Sequence, residues 1–90
     1  MRSKMTSTNA ETLALKALGF LANSPGALER FAQVSGIGTG EMRDRAAEPE
    51  FLGAILDFLL SEEDLLTQFC ESESVEPREI HLARYALPGG

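Results

Sequence analysis

"LGFLANSPGALERFAQVSGIGTGEM", residues 18–42, and "LDFLLSEEDLLTQFCESESVEPREI", residues 56–80, are the stretches whose comparison decides how this chain is read. At a separation of 38 residues, Leu18, Phe20, Leu21, Leu28, Phe31 and Glu41 meet Leu56, Phe58, Leu59, Leu66, Phe69 and Glu79, all identical. Ala32 falls on Cys70, Ile37 on Val75 and Met42 on Ile80, apolar on apolar. Those are 6 identities among the 34 pairs between residues 13–46 and 51–84, too few to establish common ancestry. Their placement carries more than their number, because they recur where helices would turn inward. Two three-helix units follow, residues 9–47 and 48–87, each too small to bury its own apolar face and therefore sharing one core. The competing reading is that any two amphipathic stretches align this well after sliding, and superposition of the two halves separates the two.

Helix punctuation supports the pattern. Thr8 and Glu11 have capping-box spacing, and Leu13, Ala17, Phe20 and Leu21 then recur at helical intervals, so a first helix is expected over residues 9–22. Ser24 and Pro25 open a second over 25–35, which Gly36 stops in a left-handed conformation. Thr39 caps a short third helix through residue 47, in a segment rich in glycine, and Pro49 opens a fourth on "EPEFLGAILDFLL". Ser61 with Asp64 starts a fifth over 62–72, the run Glu62, Glu63, Asp64 lying at the positive end of its dipole. Pro77 opens a sixth, which ends before "LPGG". No stretch alternates with period two. The fold class is all-α, a bundle of five to six short helices: a disordered tail over 1–8, one domain over 9–87 and a C-terminal tail over 88–90. Within it, the first helix of each unit should lie centrally through Leu13, Leu18, Leu21 and Phe51, Leu56, Leu59, with Phe31 and Phe69 closing over them.

The chain is 43% hydrophobic and 24% charged, ordinary for a folded globular domain. Its charge is lopsided. Residues 1–46 carry six basic and four acidic groups, and residues 47–90 carry two and ten, so that a net −8 resides in the second half and −6 overall. Such a surface repels phosphate backbones and favours a basic partner. The single Cys70, a leader without an apolar core in "MRSKMTSTNA" and the Asp57 that interrupts "FLGAILDFLL" together point to a cytoplasmic protein without a membrane span.

Ala32, Gly36, Ile37 and Met42 nevertheless have the spacing of a helix-turn-helix, which makes a DNA-binding regulator using residues 25–47 the alternative function. The candidate recognition helix balances Arg43 and Arg45 against Glu41 and Asp44, and lacks the cationic excess that phosphate contacts require. Enzyme readings find no support: His81 is the sole histidine, and neither Cys70 nor any Ser–Asp pair has a base at a known spacing. His81 is expected partly exposed, and Cys70 buried as a small hydrophobe. Glu71, Glu73, Glu76 and Glu79 lack the glycine and ligand order of an EF-hand and the Glu-x-x-His pairs of a di-metal bundle, so no metal and no cofactor is expected. The closing "GG" reads as a helix stop.

With "ALKALGFLA", "RAAEPEFLGAILDFLL" and "ARYALPGG" in that order, the chain resembles the small alphaproteobacterial proteins grouped as domain of unknown function family 3572, over residues 11–90. The most particular pieces are Arg45-Ala46-Ala47-Glu48-Pro49 before the apolar helix and Ala86-Leu87-Pro88-Gly89 at the end. The resemblance implies a compact bacterial cytoplasmic protein with no described active site, so it carries over no functional residue.

The expected function is that of a small acidic helical module for protein–protein interaction or regulation. Its candidate surface is Glu62, Glu63, Asp64, Glu71, Glu73 and Glu76, and its candidate partners are a basic protein or a second copy of the chain. Nucleic acid and membrane are disfavoured. Apolar residues encircle most of "FLGAILDFLL", so that helix is either central in the bundle or covered in part by a partner.

Overall fold

The computed structural model describes residues 6–88, and these form six helices and, among the described residues, no strand. They are α1 (Ser7–Ala22), α2 (Pro25–Ser35), α3 (Thr39–Arg45), α4 (Pro49–Ser61), α5 (Glu63–Glu73) and α6 (Pro77–Tyr85). Prolines open α2, α4 and α6, where the missing N–H would have had no helical partner. Gly36 ends α2 at φ 77°, a conformation that glycine adopts without penalty, and its N–H donates to the Ala32 carbonyl.

Several helix starts differ from the expected ones. Thr6, not Thr8, caps α1, its Oγ1 accepting from the Asn9 N–H at 3.1 Å, and Thr8 lies inside the helix with its carbonyl accepting from Thr12. The tail expected over 1–8 is therefore helical from Ser7; residues 1–5 lie outside the described residues, as do 89–90 of the tail expected over 88–90. Gly38 rather than Thr39 precedes α3, which stops at Arg45. Ser61 belongs to α4, where its Oγ donates to the Phe58 carbonyl at 2.7 Å, and Glu62 occupies the junction with α5. At α6, Glu76 and Glu79 make a reciprocal capping box, with the Glu76 N–H donating to Glu79 Oε2 at 3.3 Å.

α1, α4 and α6 pack on one another at the centre; α2 lies against α1 and α4, α5 against α4 and α6, and α3 chiefly against α2. Phe51, Leu52, Gly53, Ile55, Leu56, Phe58 and Leu59 of α4 are buried, so the apolar excess of that helix is satisfied by its central position. Phe31 and Phe69 are buried as expected. Leu21, Phe51, Leu56 and Leu59 are too, but Leu13 and Leu18 only flank the core. The inward face of α1 is instead Ala10, Ala14, Ala17 and Leu21, at i, i+4, i+7 and i+11. Two helices, α4 and α6, press on that face, and alanine lets their backbones approach where leucine would hold them off. No buried side-chain polar atom lacks a partner among the described residues.

The 38-residue register holds in local structure. Moved by that interval, α2 falls on α5 end to end and the start of α3 falls on the start of α6. Ser74, at φ 58°, is the described non-glycine residue with positive φ, and it stands at the place of Gly36. Turn hydrogen bonds repeat as well: Ser24 N–H to Leu21 as Glu62 to Leu59, Leu28 to Ser24 as Leu66 to Glu62, Glu41 to Gly38 as Glu79 to Glu76. The aromatic pairs cross between units. Phe20 meets Phe69 edge-on at 5.5 Å, and Phe58 meets Phe31 at 5.4 Å, so each unit's first helix touches the other unit's second. The third helices break the correspondence, since α6 enters the centre and α3 stays outside.

Candidate interaction surface

Between α2 and α4 lies a cleft of about 240 Å³ lined by Phe31, Val34, Ser35, Ala54, Asp57, Phe58 and Ser61. The lining follows from helical spacing, residues i, i+3 and i+4 on α2 and i, i+3, i+4 and i+7 on α4. Tilted Phe31 and Phe58 rings form its base, and Val34, 74% exposed, stands at its rim. Its volume falls below the roughly 300–1,000 Å³ of small-molecule sites.

Asp57 is also the outer end of a second arrangement. Its Oδ1 accepts from Arg84 Nε at 2.6 Å, and Arg84 Nη1 points at the Leu87 and Pro88 carbonyls, 3.5 and 3.3 Å away. Arg84 lies close over Gly53: a Cβ built there would be 2.9 Å from Nη1 and 3.2 Å from the Pro88 carbonyl oxygen. The chain's last described turn is thus fastened to α4 through one guanidinium.

The acidic residues expected to form a surface are not used alike. Glu62 pairs with Arg30, Glu73 with Lys16 at 3.7 Å, and Glu76 caps α6. Glu63, Asp64 and Glu71 are exposed on α5, the first two in its opening turn where negative charge is favoured by the dipole. Three of the six thus make contacts within the domain, and the other three are exposed. Val34, Ser35 and Ala54 carry no mark in the sequence taken alone, and Asp57 stands out there only as a break in an apolar run. Their signal lies in the register comparison, where Lys16 and Glu73 face Ala54 and Ser35.

In the helix-turn-helix segment, Met42 is buried against the core while Arg43 and Arg45 face outward, and Arg45 lies 3.6 Å from Glu48. His81 is exposed on α6. Cys70 is buried, and that burial, with the Glu79 carboxylate adding to it, raises the thiol above its ordinary 9.0 and keeps it protonated. Among the described residues, no three His, Cys, Asp or Glu side chains converge on a common point. No described helix is long and apolar enough to cross a membrane.

No curated protein and no solved structure matches the chain. A family profile described as a protein of unknown function, DUF3572, matches residues 7–90, nearly the whole described domain, and the chain belongs to that family.

Proposed function

We propose that this protein is a small acidic interaction module that acts by presenting its helical surface to another protein, and not by catalysis. The observation that carries the reading is the α2/α4 cleft: an apolar recess with the exposed Val34 at its rim, on a domain in which, among the described residues, no three His, Cys, Asp or Glu side chains converge. Crosslinking in the native cells followed by affinity capture tests it. A protein recovered reproducibly, and shown with purified components to bind directly, supports the module; recovery of nucleic acid alone overturns it.

The second reading, a DNA-binding regulator, draws on the α2–Gly36–α3 connection, which has helix-turn-helix order. Against it, α3 is seven residues long with balanced charge. Fluorescence anisotropy with duplex DNA at low salt is expected to show no salt-dependent binding.

A further inference from the structure

We infer that the α2/α4 cleft receives a lysine or arginine side chain from a basic amphipathic helix of the partner, its aliphatic stem lying on Phe31, Ala54 and Phe58. The inference rests on the interaction-module reading and specifies its partner chemistry. It comes from the matching positions in the molecule's other half and from the charge beside the cleft. Shifted by the 38-residue register, Ala54 corresponds to Lys16 and Ser35 to Glu73, and in that other unit those two side chains form an ion pair between α1 and α5, Nζ to Oε1 at 3.7 Å. The Phe20–Phe69 pair stands there as Phe31–Phe58 stands in the cleft.

One aromatic pair is therefore flanked by a lysine–glutamate ion pair, whereas its counterpart has alanine and serine at the matching positions and lines an open cleft. A lysine stem is apolar along four carbons and charged only at its tip, which suits an apolar recess with an anionic edge. Asp57 supplies that edge: its side chain is 56% exposed, with Arg84 held through Oδ1 alone. Glu50, two turns earlier on α4, adds a second exposed carboxylate on the same helical face. The net charge of −6 steers a basic segment toward the domain, and the exposed Val34 gives its apolar face a contact beside the cleft.

The test uses an amphipathic helical peptide of about 15 residues built from leucine, alanine and lysine, long enough to hold a helix when bound. Companions replace its lysines by norleucine or glutamate, and each is titrated into the full-length ¹⁵N-labelled protein. The expected result is amide shifts centred on Phe31, Val34, Ala54 and Phe58, with the lysine peptide at least about tenfold tighter than either companion. Ala54→Lys, which copies Lys16, and the double variant Ala54→Lys with Ser35→Glu, which rebuilds the whole pair, should each weaken binding about tenfold while circular dichroism stays that of the parent.

Equal binding of the lysine and norleucine peptides, wild-type affinity in Ala54→Lys, or no shift with any peptide overturns the inference. Shifts centred on Asp64 and Glu71 of α5 overturn it as well, but leave the interaction-module reading standing.

Discussion

Arg84→Met keeps a long apolar stem and removes the guanidinium that joins α6, α4 and the chain's last described turn. The pair with Asp57 contributes no more than about 1 kcal/mol, because the Asp57 carboxylate is more than half exposed and solvent screens it. The bonds to Leu87 and Pro88, at 3.5 and 3.3 Å, are long, so together they count as about one charge-assisted hydrogen bond, roughly 1.5 kcal/mol. The expected loss is about 2 kcal/mol, equivalent to a fall of about 10 °C in Tm for a domain of this size. Urea unfolding followed by far-ultraviolet circular dichroism measures it, with an unchanged m-value showing that the same surface is exposed. Arg84→Lys should recover less than half, since an ammonium cannot reach the Asp57 carboxylate and two carbonyls from one plane. Gly53→Ala supplies the cross-check. Its Cβ would crowd Nη1 at 2.9 Å and should cost about 1–2 kcal/mol in the parent, yet little in the Arg84→Met background, where helix propensity favours alanine. A loss below about 0.5 kcal/mol for Arg84→Met, or additive costs for the two changes, would refute the assignment of this arrangement as a structural fastener.

Phe31→Ala and Phe69→Ala should each cost about 3–5 kcal/mol and agree with one another within about 1 kcal/mol, because both rings are buried at matching places; thermal or urea unfolding reads this directly. Glu79→Ala should cost about 0.5–1 kcal/mol by breaking the α6 capping box, whereas Glu41→Ala, at the matching place beside a capless Gly38, should be near neutral in the same assay. The raised Cys70 thiol means that the folded state holds its proton at a pH where the unfolded chain releases it. Its contribution to stability is full below the ordinary value of 9.0 and is lost as pH rises from there through the folded value, so the parent should lose stability relative to Cys70→Ala in unfolding curves above about pH 9. Alkylation of that thiol should be slow in native buffer and fast in urea.

Prolines and glycines were legible because their effects are local. Pro25, Pro49 and Pro77 each stand at the first position of a helix, and Gly36 ends one, as their φ preferences and missing N–H dictate. Caps were less legible where several candidates compete within one turn: Thr6 and Thr8 are both sound caps by residue type, and so are Ser61 and Glu62 as boundaries, so that residue type alone does not choose between them. The capping box at Glu76 was missed because glutamate rarely takes that place.

The inward face of α1 was misread for a different reason. Leucine outranks alanine by hydrophobicity, yet Leu13 and Leu18 only border the core, because α4 and α6 both press on that helix and only small side chains fit between three backbones. The acidic residues show the same limit. Nothing in "SEEDLLTQFCESESVE" distinguishes Glu73, which is paired to Lys16 across the bundle, from Glu71, which is free in solvent.

By itself the sequence determined the helical class, the order of six helices and the burial of Phe31 and Phe69, since all of these follow from interactions between residues near one another in the chain or from the cost of leaving a large ring in water. Only the tertiary structure decided that α6 enters the centre while α3 stays outside, that Lys16 pairs with Glu73 while a cleft opens between α2 and α4, and that Arg84 holds the last turn over Gly53. Those outcomes depend on which side chains together fill a shared space, and that is a property of packed volume rather than of any local pattern.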